Sequence, residues 1–104
     1  MSSLLLILYS REGCCLCKGL EEKLRNLPLS HLNPPLQLHV IDIDAVDTPK
    51  EISARYNLQV PVMILARTNF KKILEFPRVS PRLNLDGLYK WLEKFLINQS
   101  EHIL

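Results

Sequence analysis

The sequence has little net charge, few aromatic residues and few glycines. The formal net charge is +2, the aromatic content is 7%, and there are three glycines among 104 residues. Nucleic-acid-binding proteins present a strongly basic surface, often with stacking aromatic side chains, and phosphate-binding loops need closely spaced glycines. We therefore expect neither a nucleic-acid partner nor a phosphate-loop enzyme. No grouping of serine and histidine residues indicates a hydrolase.

The N-terminal apolar run, Leu4–Leu8, is too short for a membrane span, which takes about 20 residues. No basic segment or small-residue cleavage site accompanies it. We therefore interpret the run as a buried strand and expect a cytoplasmic protein with no membrane partner. The hydrophobic and charged fractions, 47% and 23%, are ordinary for a globular protein. We expect one domain, residues 1–104, that is monomeric.

Cysteine is absent outside residues 14–17, where Cys14, Cys15 and Cys17 all occur. This clustering excludes a scaffold of structural disulfides, because no distant cysteine is available to be joined. Cys14 and Cys17 have the Cys-x-x-Cys spacing of a redox pair at the start of a predicted helix. The unpaired N–H groups and positive dipole at a helix N-terminus stabilise a thiolate, the attacking species in disulfide exchange. The cluster is therefore the predicted working site.

The hydrophobic pattern predicts strands and helices in the order βαβαββα. The predicted strands are residues 3–9, 36–43, 60–65 and 70–76, and the predicted helices begin at Cys14, near Thr48 and after Arg82. A leading βαβ unit requires a parallel pair with a right-handed crossover, and the polar residues 67–69 predict a closing hairpin. The fold class is therefore α/β, with a four-stranded mixed sheet and helices on both faces.

Local signals refine the predicted helices. Pro28 is expected to end the first helix, and Thr48 is expected to cap the second in a capping box, with Pro49 at its first position and Glu51 completing the box. The last helix has an apolar face and a tail, from Asn98, that is expected to fray. The residues of that face are Leu85, Leu88, Leu92, Phe95 and Leu96.

The residues around the cysteines, together with a Val-Pro pair before the third strand, resemble the glutaredoxin-like branch of the thioredoxin superfamily. The phrases Leu8–Cys17 and Tyr56–Val62 carry the resemblance, which covers nearly the whole chain. It implies a thioredoxin-like fold with Cys14 as the exposed nucleophile and Cys17 as the resolving thiol. It also implies a cis Pro61 that faces the cysteines, and a Val60 backbone that pairs with a bound peptide or glutathione.

The sequence departs from the family pattern at three places. Cys15-Leu16 replaces the Pro-Tyr of glutaredoxins, residues 76–80 lack their glutathione-holding Gly-Gly pair, and Gly13 stands where thioredoxins have Trp. The resemblance implies a thiol–disulfide oxidoreductase that reduces protein or glutathione mixed disulfides. The resemblance implies that no cofactor is bound. The reductant is then glutathione or another thiol, and the resemblance does not decide between them.

Several cations and one tyrosine are expected near the cysteines as substrate-binding residues. Arg11 and Lys18 flank the motif, while Arg78 and Arg82 follow the fourth strand, where positive charge favours a thiolate and an anionic partner. An ordinary solvated rim is the alternative for all four. Tyr9 is expected either beside the cysteines or in the core.

Two other functions stay open. The accessory thiol Cys15, together with Cys14 and Cys17, supplies three ligands for a zinc or iron–sulfur site in a metal-binding carrier, although a fourth ligand is missing. A non-catalytic module that binds peptides at the Val60–Pro61 edge is the second alternative. The other residues of ligand type are expected at the surface, in strands or in turns: His31, His39, His102, Asp42, Asp44 and Asp47.

Overall fold

The computed structural model describes residues 4–67 and 73–103. The strands are β1 (Leu4–Ser10), β2 (Leu36–Asp42), β3 (Val62–Arg67) and β4 (Ile73–Glu75), and the helices are α1 (Cys15–Arg25), α2 (Lys50–Tyr56) and α3 (Leu85–Ile103). A short 3-10 turn, Leu29–His31, follows α1 within the segment predicted as loop. The predicted order βαβαββα is confirmed.

The four strands form one mixed sheet in the order β2-β1-β3-β4. β1 pairs with β2 in parallel, with Leu4 opposite Leu36, and it pairs with β3 antiparallel, with Leu6 opposite Leu65. β3 and β4 are antiparallel, as predicted. The predicted hairpin turn and the start of the fourth strand, residues 68–72, lie outside the described residues.

The sheet is buried on both faces, which explains why β1 is apolar throughout. Alternate residues of β1 enter two separate clusters. On one face Leu4, Leu6 and Leu8 pack with leucines of α1 and α3. On the other face Leu5, Ile7 and Tyr9 pack with Tyr56 of α2 and with Ile43, Val62, Ile64 and Ala66. The predicted placement of helices on both faces is therefore confirmed.

The predicted cap of α2 is wrong. Thr48 does not cap the helix, since its hydroxyl donates to the carbonyl oxygen of Asp42 at 2.7 Å. Pro49 occupies the N-cap position without a side-chain hydrogen bond, and α2 begins at Lys50. The hydroxyl is engaged in closing the turn that leaves β2, so the capping box with Glu51 does not form.

The helix α1 ends before Pro28, as predicted. Its last residue is Arg25, and its C-cap residue Asn26 donates from the side-chain amide to the carbonyl of Glu22 at 2.8 Å. α3 continues to Ile103 rather than fraying from Asn98. Leu85 is 44% exposed and does not share the buried face of Leu88, Leu92 and Leu96. In the described ranges, we find no helix with the length and apolar character needed to cross a bilayer.

Candidate functional site

The two cysteines of the Cys-x-x-Cys motif are joined by a disulfide and differ sharply in burial. Cys14 and Cys17 are bonded to each other, with their Cα atoms 5.2 Å apart. Cys14 is the N-cap residue of α1 and is partly exposed, whereas Cys17 is only 2% exposed in the first turn. The backbone N–H of Cys17 donates to the sulfur of Cys14 at 3.2 Å. Of this pair, Cys14 is the sulfur that an incoming molecule reaches.

The turn before α1 presents Cys14 at the helix tip. The backbone N–H of Cys14 donates to the carbonyl of Arg11 at 3.2 Å, and Gly13 has a φ of 83°. The first turn of α1 contains no acidic residue. The positive end of the helix dipole therefore faces Cys14 without an opposing carboxylate in that turn.

We expect Gly13→Ala to destabilise the protein by about 1–2 kcal/mol, because left-handed backbone is costly for a residue with a Cβ. The matched control is Gly19→Ala in the interior of α1. A Cβ at either position meets no atom within 4 Å apart from its chain neighbours and the backbone of its own helix, so space does not distinguish them. Gly19→Ala should stabilise the helix by up to about 1 kcal/mol. Urea unfolding of both oxidised variants measures the change in the free energy of unfolding. A change in the same direction for the two variants would contradict this account of the turn.

Pro61 lies beside the cysteine-bearing end of α1. The Val60–Pro61 peptide bond is cis, and β3 starts at Val62, after the proline that has no N–H to donate. Pro61 and Cys15 line one groove, whose two walls are α1 and the segment 78–83. Cys15 is exposed and has a free thiol. The structure therefore brings Cys15 of the motif, Pro61 and the segment after β4 to one groove.

Three of the predicted cations line hollows beside the cysteines, and one of them, Arg11, is described separately below. Arg78 lines the groove and donates from its guanidinium to the carbonyl of Gln59 at 3.2 Å. Lys18 is exposed and shares a second hollow with Cys14, which carboxylates such as Glu21 also line. Arg82 is exposed and does not line the groove. The charge around the cysteines is therefore mixed rather than uniformly positive.

Tyr9 is a core residue, which is the second of the two placements expected for it. It is 7% exposed and stacks on Tyr56 with the ring centroids 5.2 Å apart. Burial raises the pKa of the Tyr9 hydroxyl. Its position in β1 points it to the face covered by α2, where aromatic stacking and burial hold it.

Arg11 is held by two other segments of the chain. Its Nε donates to Asp44 at 2.7 Å and its Nη2 at 3.0 Å, in a bidentate ion pair. The same guanidinium donates to the backbone and side-chain oxygens of Asn57 at 2.7 and 2.6 Å. The hydrogen bond with Arg11 holds the pKa of the Asp44 carboxyl below its ordinary value and raises the pKa of Arg11. Each nitrogen of the Arg11 guanidinium thus donates at least one hydrogen bond within the protein.

Lys23 and Asn57 were not predicted as site residues. Lys23 donates from Nζ to the carbonyls of Pro81 at 3.0 Å and Leu83 at 2.8 Å, which ties the segment 78–83 to α1. Asn57 receives the guanidinium described above. No short-range pattern reveals either role, because the partners are distant in sequence and several are backbone carbonyls.

Within residues 4–67 and 73–103, no three or more His, Cys, Asp or Glu side chains form a group that could hold a metal ion. His31 and His39 are exposed, and the side chain of His102 lies outside the described part. Asp42 accepts from the backbone N–H of Asp44 at 2.8 Å, which is the turn chemistry expected of these aspartates.

Several solved structures have the same fold but little sequence in common with this chain. A disulphide isomerase from Xylella fastidiosa is 19% identical with a TM-score of 0.59, covering 89% of this chain and 78% of that one. Thioredoxin-2 of a malaria parasite is 15% identical with a TM-score of 0.60, covering 89% and 84%. The thioredoxin Deadhead from Drosophila melanogaster is 18% identical with a TM-score of 0.55, covering 88% and 80%. These likenesses show the thioredoxin-like fold alone.

A comparison with curated proteins gives no match. The sequence does match the family described as Glutaredoxin-like domain (DUF836) over residues 5–93, which include the cysteine motif, the Val-Pro pair and most of the apolar face of α3. The expected fold class and the expected family are both confirmed. The chain belongs to this glutaredoxin-like family of the thioredoxin superfamily.

Proposed function

We propose that the protein is a thiol–disulfide oxidoreductase that reduces disulfides with Cys14 and Cys17. The observation that carries the proposal is the pairing of a partly exposed Cys14 at the tip of α1 with a buried Cys17 one turn behind it. A nucleophile must be reached by the substrate, whereas a resolving thiol needs only to reach the nucleophile. The two burial states match these two roles.

The proposed reaction has two exchange steps. The Cys14 thiolate attacks one sulfur of a substrate disulfide, forming a mixed disulfide and releasing the other substrate sulfur as a thiolate that takes up a proton. The Cys17 thiolate then attacks the Cys14 sulfur and releases the second substrate thiol. The substrate gains two electrons, and the protein is left with the Cys14–Cys17 disulfide. Two equivalents of a thiol, such as glutathione, return it to the dithiol, so no bound cofactor is needed.

The residues beside the cysteines suit a thiol-bearing peptide. In this proposal the Val60 backbone next to Pro61 pairs with an extended client segment in the manner of an added strand. Arg78 and Lys18 lie on the two hollows that adjoin the cysteines and supply positive charge for a carboxylate of glutathione or of a client protein. A monomer working in a reducing compartment such as the cytoplasm meets the needs of this chemistry.

Differential alkylation with mass spectrometry across a glutathione redox series tests the proposal. We expect Cys14 and Cys17 to change together as one two-electron couple, and Cys15→Ser to leave that couple in place. The same spectra report whether glutathione becomes attached to Cys14. A protein that has no measurable Cys14–Cys17 couple in this series is not an oxidoreductase, and peptide binding at the Val60–Pro61 edge would then be its better explanation.

A further inference from the structure

The guanidinium of Arg11 joins three segments that meet at the site. Arg11 belongs to the turn that carries Cys14, Asp44 to the turn after β2, and Asn57 to the end of α2. Its four hydrogen bonds to Asp44 and Asn57 measure 2.6–3.0 Å. The Arg11 side chain is 30% exposed and Asp44 52%, so the ion pair lies at the surface.

The position of Asn57 gives this contact a consequence for the site. Asn57 is the C-cap residue of α2, and the chain runs from it through Leu58 to Gln59, Val60 and the cis Pro61. Arg11 holds Asn57, and Arg78 holds the carbonyl of Gln59. The short segment before Pro61 is therefore attached to an arginine of the Cys14 turn at one residue and to an arginine after β4 at another.

We infer that Arg11 is a positioning residue. Through its hydrogen bonds to Asp44 and Asn57, it fixes the turn that carries Cys14 relative to the Val60–Pro61 pair that precedes β3. The inference rests on the proposed function, in which the client backbone lies on Val60 while its disulfide meets Cys14. In thiol–disulfide exchange the attacking, central and leaving sulfurs must come into line. A displacement of about 1 Å between Cys14 and the backbone that holds the client costs on the order of 100-fold in rate.

This role differs from the one expected of Arg11 as a substrate-binding cation. A substrate-binding cation acts through its charge, so a lysine in its place should keep the function. Loss of its internal partner, Asp44, should free the arginine to bind substrate. A positioning arginine acts through the fixed N–H donors of its planar guanidinium, which lysine lacks. Loss of Asp44 should then act in the same direction as loss of Arg11, because Asp44 accepts two of the four hydrogen bonds that orient the guanidinium toward Asn57.

The test is the single-turnover reduction of a fluorescently labelled peptide disulfide by reduced protein over a range of peptide concentrations. Arg11→Met, Arg11→Lys and Asp44→Asn should each lower the maximal rate by about tenfold or more, with the half-saturating concentration changed less than about twofold. The double variant Arg11→Met with Asp44→Asn should be no slower than Arg11→Met alone, because Asp44 acts only through Arg11 in this account. Arg25→Met is the matched control, since it also removes an exposed arginine and its ion pair, here with Glu21 on α1.

Full recovery of the rate with Arg11→Lys, or tighter peptide binding by Asp44→Asn, would overturn the inference and make Arg11 a substrate-binding cation. Unchanged rates in all three variants would overturn it as well. Thermal unfolding checks that each variant is folded, and Asp44→Asn, which is nearly isosteric, keeps the test valid if the Arg11 variants unfold. If the wild-type protein itself reduces no disulfide, the proposed function fails, whereas a failure confined to the variants leaves that function standing.

Discussion

Replacing Cys14 with serine is expected to reduce disulfide exchange to the uncatalysed background. A serine hydroxyl does not ionise near neutral pH and cannot form a disulfide, so the first exchange step is lost completely. Cys17 does not replace it, because the 2% exposure of Cys17 keeps a substrate disulfide from its sulfur. Single-turnover reduction of the peptide disulfide measures the loss directly.

Cys17→Ser should produce a different defect from Cys14→Ser. Cys14 can still attack, but no buried thiol follows to release the substrate, so the mixed disulfide on Cys14 accumulates. Intact-mass spectrometry without reductant should show the protein mass increased by one substrate thiol. This pair of outcomes, no adduct for Cys14→Ser and a stable adduct for Cys17→Ser, assigns the nucleophilic and resolving roles separately.

Cys15→Ser is the control for both variants. Cys15 is adjacent in sequence and exposed, but its thiol is free while Cys14 and Cys17 are bonded to each other. We expect Cys15→Ser to retain turnover and to accumulate no adduct. Full activity in the Cys14→Ser variant would refute the proposed reaction. Loss of activity in Cys15→Ser would instead show that this third thiol takes part in the chemistry.

The sequence predicts the architecture well because the signals that determine it are local. The continuous apolar run of β1 shows a strand covered on both faces, and its alternate residues indeed enter two clusters. Cys14 and Cys17 are three residues apart, so a helix that starts at the motif is enough to bring them together. The Val60–Pro61 pair could be located only through the family resemblance, since nothing in its own composition indicates what it faces.

Tertiary contacts account for the features that were predicted wrongly or missed. Thr48 has the right type and spacing for a cap, yet its hydroxyl closes the turn after β2 instead. For Tyr9 the sequence left two placements open, and the structure selects the core, on the face opposite α1 and against Tyr56. The partners of Arg11 are 33 and 46 residues away in sequence, a separation at which spacing alone carries no information.

Leu24→Ala is expected to have the largest effect on stability, a loss of about 2–5 kcal/mol in the free energy of unfolding. Leu24 is 0% exposed, and it packs in the cluster that attaches α1 to the sheet and to α3. Removing its branched end leaves a cavity beneath the helix that carries the cysteines. Since small domains have about 5–15 kcal/mol in total, such a loss should lower the urea midpoint of unfolding substantially.

Leu16→Ala provides the matched control, because it makes the same substitution in the same helix at a residue that is 51% exposed. Its effect on the unfolding free energy should stay within about 0.5 kcal/mol, as for most surface substitutions. Both variants should be compared in the oxidised form, so that the Cys14–Cys17 disulfide contributes equally to each. If the two substitutions cost the same, Leu24 does not anchor α1, and the rigid placement of Cys14 at the helix tip needs another explanation.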